Sequence, residues 1–251
     1  MRTSVAVAAL AFLLTTGWSV AEIEIRTESF TSGGVRIGVE WFEAAGSASA
    51  ERRPAVLMLH GADGRNFVER YRVGARSLAE DGYHVFLLHY FDRTGDRWAS
   101  LTTIFRNYLT WMSTLDDALT WVGRHPGVDP RRIGVLGVSL GASLSMAAAA
   151  QDARIKALVV YFGPMPDGAA EGITRMPPTL ILHGAADPIV PVSNAYALEE
   201  LLKKRGIPHE IAVYPGQGHG FRGEAQADAA RRVTAFLDRY LRRGTSRGGE
   251  E

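Results

Sequence analysis

Apolar residues recur along this chain with two periods, and the change between them divides it into elements. Ile23–Ser29 and Val35–Phe42 alternate in the manner of strands, separated by Thr31-Ser32-Gly33-Gly34, a composition suited to a hairpin turn. Ala55–Leu59 is a short unbroken apolar run, as expected of a strand buried on both faces. Val68–Asp81 reads as an amphipathic helix stopped by Gly82, and Tyr83–Leu88 as the next buried strand. Tyr90–Ser100 is a loop of aromatic and charged residues. A helical region, with a possible break, runs from Leu101 to Arg124 and ends before His125-Pro126-Gly127.

Ile133–Val138 forms another apolar strand and passes through a glycine-flanked turn into an alanine-rich helix, Leu144 to Ala150. Beyond it lie a strand over Ala157–Tyr161, a Gly/Pro-rich loop over Gly163–Pro178 too short to hold a lid domain, and a strand over Thr179–His183. Ser193 is placed to N-cap a helix through Lys204, before Gly206 and Pro208. His209–Tyr214 is the last strand. Glu224–Arg243 is the last helix, with Arg239, Arg242 and Arg243 near its negative end. Strands alternating with helices from Ala55 onward predict an α/β domain: a mostly parallel central sheet with helices on both faces. Ligands of such sheets bind beyond the C-terminal ends of the strands.

The turn after Val138 carries the first chemical signal, Gly137-Val138-Ser139-Leu140-Gly141. Strand, tight turn and helix expose a serine oxygen above the sheet, and a Cβ at either glycine would collide with a neighbouring element. A serine hydroxyl is a poor nucleophile until a base takes its proton. His219, between Gly218 and Gly220 just after the last strand, is the candidate base. Asp187, in the turn after His183, is the candidate acid that orients it. The order Ser139, Asp187, His219 is the one expected on such a sheet. An oxyanion needs two preorganised N–H donors. Leu140, after the nucleophile, supplies one; Ala62, in His60-Gly61-Ala62 after the third strand, supplies the other. The side chain of His60 is read as pinning that loop, His183 as holding the Asp187 turn, and His84, His89, His125 and His209 as structural. Phe91, Trp98, Phe162 and Phe221 lie in loops at strand ends and form a candidate apolar wall.

Composition narrows the rest. A chain of 251 residues with 46% hydrophobic and 22% charged residues suits one globular domain, and a net charge of +1 without basic runs gives no sign of nucleic acid. No cysteine is present, which excludes disulfides, thiol catalysis and a lipidated cysteine. The seven histidines contain no His-x-x-x-His pair, so no metal is expected. Arg2, the apolar run Val5–Leu14 and Ser19-Val20-Ala21 read as a secretory leader cut after Ala21, too short for a stable membrane anchor. The expected organisation is therefore a signal peptide over 1–21, one domain over 22–243 and a disordered tail over 244–251, exported to the periplasm or medium. The mature chain would hold 27 positive against 27 negative groups.

These motifs together resemble the dienelactone hydrolase family of α/β-hydrolases, from about Val35 to Leu241. The resemblance rests on Leu59-His60-Gly61-Ala62, Gly137-Val138-Ser139-Leu140-Gly141, His183-Gly184-Ala185-Ala186-Asp187-Pro188-Ile189-Val190-Pro191 and Gly218-His219-Gly220-Phe221. It implies the α/β-hydrolase fold without a lid domain, and hydrolysis of esters or lactones through an acyl-enzyme, with no cofactor. The chain departs from the family's founding enzymes at two points. They carry a cysteine where Ser139 stands, and a glutamate where Gly61 stands. They also bind the substrate carboxylate with two arginines; Arg93 matches one position, and Arg222 lies one residue from the other.

The expected activity is serine hydrolysis of small carboxylic esters or lactones. Peptide hydrolysis or acyl transfer on the same triad stays open, as does a non-catalytic binding protein of this fold. The sequence leaves the oligomeric state unassigned.

Overall fold

The computed structural model describes residues 23–46, 51–165, 173 and 175–242. The expected leader and tail, and residues 166–172 and 174 of the loop after Gly163, lie outside the described residues. Eight strands form one sheet: β1 (Ile25–Ser32), β2 (Val35–Phe42), β3 (Arg53–Leu59), β4 (His84–Leu88), β5 (Val128–Val138), β6 (Ile155–Tyr161), β7 (Thr179–Gly184) and β8 (His209–Tyr214). They lie side by side in the order β1-β2-β4-β3-β5-β6-β7-β8. β1 pairs with β2, and β2 with β4, in antiparallel register, and all later pairs are parallel. The fold is the α/β-hydrolase architecture.

The continuous apolar runs are explained by two cores, because successive side chains of a strand point to opposite faces. Ala55, Leu57 and Leu59 of β3 join one core with α2 (Leu101–Arg124), α3 (Leu140–Gln151) and α4 (Ser193–Lys204). Val56 and Met58 join the other with α1 (Val68–Glu80) and α5 (Glu224–Leu237).

Several boundaries differ from the sequence pattern, each for a local reason. β1 continues through Thr31 and Ser32, and Ser32 pairs with Val35. Gly33 and Gly34 alone make the turn, with φ of 47° and 82°, a conformation that two glycines adopt freely. β5 starts at Val128, five residues early, because Arg53 already pairs with Val128 across a register shift. α2 is unbroken over 24 residues. Its N-cap is Ser100, whose Oγ accepts the Thr103 N–H at 3.2 Å. The expected cap at Ser193 does not form: Val192 holds the cap position and Ser193 is already helical. The last helix ends as α at Leu237 and widens to one π turn over Asp238–Arg242, where the Arg242 guanidinium lies 4.4 Å over the Tyr83 ring.

Candidate active site

β5 delivers Ser139 to the C-terminal edge of the sheet with φ 53° and ψ −116°, a conformation that side chains other than hydrogen rarely adopt. The surroundings hold it there. The Ser139 N–H donates to Tyr161 O on β6 at 2.9 Å, and its carbonyl accepts Ala142 and Ser143 N–H at 2.9 and 3.1 Å, opening α3. The flanking glycines are required by contact. A Cβ at Gly137 would lie 2.4 Å from Gly141 O, and one at Gly141 would lie 2.5 Å from His60 O. Both approaches are to backbone, which has no way to yield.

His219 reaches this oxygen from the loop after β8. The loop reverses tightly around the histidine, with Gly220 N–H on Gly218 O at 2.9 Å and Gly220 at φ 146°. Its Nε2 lies 2.9 Å from Ser139 Oγ and its Nδ1 2.7 Å from Asp187 Oδ2. A carboxylate oxygen can only accept, so Nδ1 carries the proton and Nε2 is left to accept the serine hydroxyl. The ring is backed by Phe162, centroids 4.5 Å apart. Phe162 is held at φ 37° directly after β6, with its N–H on Leu182 O at 2.8 Å.

The Asp187 side chain is out of contact with solvent. Burial alone would raise its pKa, but the Val190 N–H, the His219 bond and the Ile189 N–H outweigh it, and the net shift is downward. Oδ1 takes the two backbone donors, Ile189 at 2.8 Å and Val190 at 3.0 Å, leaving Oδ2 to the imidazole. His183 Nε2 donates to Val190 O at 2.9 Å, which fixes the same turn. The two loops also touch: a Cβ on Gly184 would lie 2.3 Å from Gln217 O and Gly218 O.

The loop after β3 closes over the serine from the other side. Gly61 sits so near that a Cβ there would lie 3.3 Å from Ser139 Cβ. Three side chains brace this loop. Tyr71 on α1 accepts the Gly61 N–H at 2.9 Å and donates to Asp63 Oδ1 at 2.6 Å. Tyr90 donates to His60 O at 2.8 Å. His60, buried and stacked on Tyr90 at 4.2 Å, is driven by burial to a pKa of about 3 and is neutral. Its Nδ1–H therefore donates to Gly61 O at 2.8 Å. Among the described residues, neither the Ala62 nor the Leu140 amide donates to a protein acceptor. Sequence reasoning passed over Tyr71, Tyr90 and Asp63, since a buried tyrosine on a helix gives no local sign of the backbone it will bond.

The remaining expected residues divide. Phe162 and Phe221 stand together, centroids 5.6 Å apart, and Phe162 touches His219. Phe91 is 3% exposed and packs on His60, Tyr90 and Trp111, beneath the loop and not along a wall. Trp98 is exposed. Arg93, expected beside the substrate, instead donates from Nη1 to Gly33 O at 2.9 Å, clasping the β1–β2 turn. Arg222 is exposed, and its N–H donates to Gln217 Oε1 at 2.9 Å. Among the described residues, no group of three or more His, Asp or Glu is placed to hold a metal ion.

Comparison with known proteins bears on the family and the fold. The "Putative carboxymethylenebutenolidase" of Yersinia pestis is 24% identical over 166 residues, 59% of this chain and 62% of that one. Among solved structures, a dienelactone hydrolase-like promiscuous phosphotriesterase from metagenomic libraries superposes with a TM-score of 0.74 at 20% identity, over 88% of this chain and 99% of the other. A puromycin-hydrolyzing peptidase of Mycobacterium tuberculosis gives 0.73 at 19% identity, over 88% of this chain but 40% of its own. The model of the dienelactone hydrolase family matches residues 42–241, and the chain belongs to that family.

Proposed function

We propose that this protein hydrolyses small carboxylic esters or lactones through an acyl-enzyme on Ser139. The observation that carries this reading is the continuous chain from Ser139 Oγ through His219 to Asp187, at 2.9 and 2.7 Å, mounted on a strained turn. As Oγ attacks the substrate carbonyl carbon, Nε2 of His219 takes the hydroxyl proton. Asp187, anionic and buried, holds the imidazole in the required tautomer and stabilises the cation that forms. The carbonyl oxygen becomes an anion beside the two free amides, Ala62 and Leu140, whose dipoles are fixed before the reaction. Collapse expels the alcohol with the proton from His219. A water, deprotonated by the same nitrogen, then attacks the acyl carbon, releases the acid and restores Ser139.

The ester and lactone reading is favoured over peptide hydrolysis by the extent of the matches. The peptidase structure shares this fold over less than half of its own length, whereas the dienelactone hydrolase-like one is matched over 99%. Phe162 and Phe221 fit a short acyl or alcohol group beside His219. We further propose export, with the leader over residues 1–21 removed and Glu22 as the new N-terminus. The decisive test is a fluorophosphonate probe on wild type and Ser139→Ala, followed by a screen of short esters and lactones. Labelling of the wild type alone and turnover of short esters support the reading. An unlabelled wild type refutes the serine hydrolase reading, and turnover confined to peptides refutes the substrate assignment. An intact Met1 on protein recovered outside the cytoplasm would contradict the leader.

A further inference from the structure

Four large apolar side chains stand in solvent on one flank of the molecule. Trp98 is 60% exposed, Leu101 74%, Phe105 75% and Leu109 81%. The last three are four residues apart on α2 and so form one ridge, while the adjoining face of the helix, from Trp111 through Leu115 to Val122, fills the core. Contiguous apolar surface of this kind marks an interaction site.

The charge of the same stretch says which kind. From Arg97 to Leu115 there is no acidic residue, and two arginines, Arg97 and Arg106, are both exposed. Asp96, just before, is held by Thr94 and Asn107. Arg97 also meets Arg65 and Asn66 around a cleft of about 430 Å³, next to the half-exposed Phe67. Among the described residues, Arg65 is paired with Asp92, at 3.8 Å. Aromatic rings, guanidinium groups and an aliphatic ridge thus share one surface.

We propose that this surface docks the protein reversibly on an anionic lipid bilayer. The ridge would sit in the boundary between headgroups and acyl chains, with Trp98 at headgroup level and Arg65, Asn66 and Arg97 receiving headgroup phosphates. A second copy is the poorer occupant, since facing ridges would bring arginines against arginines with no acid in the stretch. Residues 166–172, Pro-Asp-Gly-Ala-Ala-Glu-Gly, contain no large apolar side chain with which to cover the ridge. No helix among the described residues is long and apolar enough to cross a membrane, so the mode is lying on the surface. The Ala99 N–H on Ala62 O, at 2.8 Å, ties the base of the ridge to the loop over Ser139. Docking therefore places that end of the sheet close to the lipid.

The test is co-sedimentation with phosphatidylcholine vesicles, neutral or carrying about one third phosphatidylglycerol, for the full chain and for the chain beginning at Glu22. Both chains should sediment with the anionic vesicles and not the neutral ones. Binding should weaken at least about tenfold in the double variant Phe105→Ser, Leu109→Ser and, separately, in Arg106→Glu. Circular dichroism and Tm, unchanged in both, show that the variants fold. Three results would each overturn the proposal. The first is no sedimentation with either vesicle. The second is a dimer in sedimentation velocity that the double variant splits, which makes the ridge a subunit interface. The third is binding that vanishes when residues 1–21 are absent, which makes the leader the lipid anchor.

Discussion

Tyr71→Phe is the substitution that best separates a merely folded loop after β3 from one aimed at the proposed oxyanion. The hydroxyl it removes lies on α1, outside the Ser139, His219 and Asp187 chain, yet it accepts the Gly61 N–H and donates to Asp63. Burial, reinforced by the Asp63 charge, raises the pKa of this hydroxyl and keeps its proton in place. Phenylalanine fills the same space, so little packing is lost. What remains is a buried Gly61 N–H without an acceptor, at a cost of about 1–3 kcal/mol. Asp63 is half-exposed and can recover its bond from water.

The loop can relieve the orphaned N–H by rotating the His60–Gly61 peptide that carries it, and the linked Gly61–Ala62 peptide turns with it, which moves the Ala62 amide away from the developing oxyanion. Complete loss of one such donor lowers kcat by about 10²–10³-fold; a displaced donor should lose part of this, about 10- to 100-fold. The interaction is made only in the transition state, so KM should hardly change. The assay is kcat and KM for a short chromogenic ester, set beside urea denaturation of the same variant. A fall in stability with kcat intact would refute the reasoning, because the loop would then be aimed by His60 and Tyr90 alone. A raised KM at constant kcat would refute it equally, by making Tyr71 a contributor to ground-state binding.

Three further outcomes follow from the same geometry. Ser139→Ala and His219→Ala should each lower kcat at least about 10³-fold, with the double variant little worse than either, since both act on one proton transfer; multiplied losses would show that they do not act as a unit. Arg93→Ala should leave unchanged the ratio of kcat/KM for a carboxylate-bearing ester and its neutral analogue, because its guanidinium is committed to Gly33 O; a selective loss on the charged ester would return Arg93 to the substrate. Glu40 is buried, which alone would raise its pKa, but the His89 bond and the paired Arg72 bonds bring it from 4.5 to about 2. A depressed carboxylate stabilises the fold above its unfolded pKa and loses that contribution as pH falls from about 4.5 through about 2. Glu40→Gln should therefore flatten the acid limb of stability measured by urea unfolding between pH 5 and 2, by on the order of 3 kcal/mol; an unchanged limb would mean that Glu40 is equally ionised in the unfolded chain.

What the sequence makes legible is set by how local its cause is. The glycines at 137 and 141 follow from the sharpness of one turn, and their collisions are with backbone at fixed short separation. Asp187 and His219 could be placed because each follows a strand, and parallel strands deliver their C-terminal ends to one edge. Arg93 and Phe91 sit after β4 by the same rule, yet a strand end fixes where a residue starts and not where its side chain goes. Arg93 is drawn to the carbonyl of a hairpin 60 residues earlier, and Phe91 turns into the core against Trp111. Neither partner is visible in any window around the residue. The same holds for Ser193, whose helix starts one residue earlier than its composition indicates.

Gly61 joins these observations into one physical account of the site. Family resemblance places a glutamate at this position beside a cysteine. Here a side chain at 61 would begin 3.3 Å from Ser139 Cβ and 3.0 Å from the Asp63 carboxylate. A second carboxylate there would stand against the first and compete for the Tyr71 hydroxyl that now links Asp63 to the Gly61 amide. Glycine removes that competition and lets the loop close on the serine. The proton of the serine hydroxyl then has Nε2 of His219 as its acceptor, and the braces on Gly61 are free to act on the backbone alone. In the proposed mechanism the two departures are coupled: a serine hydroxyl, which needs a poised base, is paired with a loop that has only an amide to present.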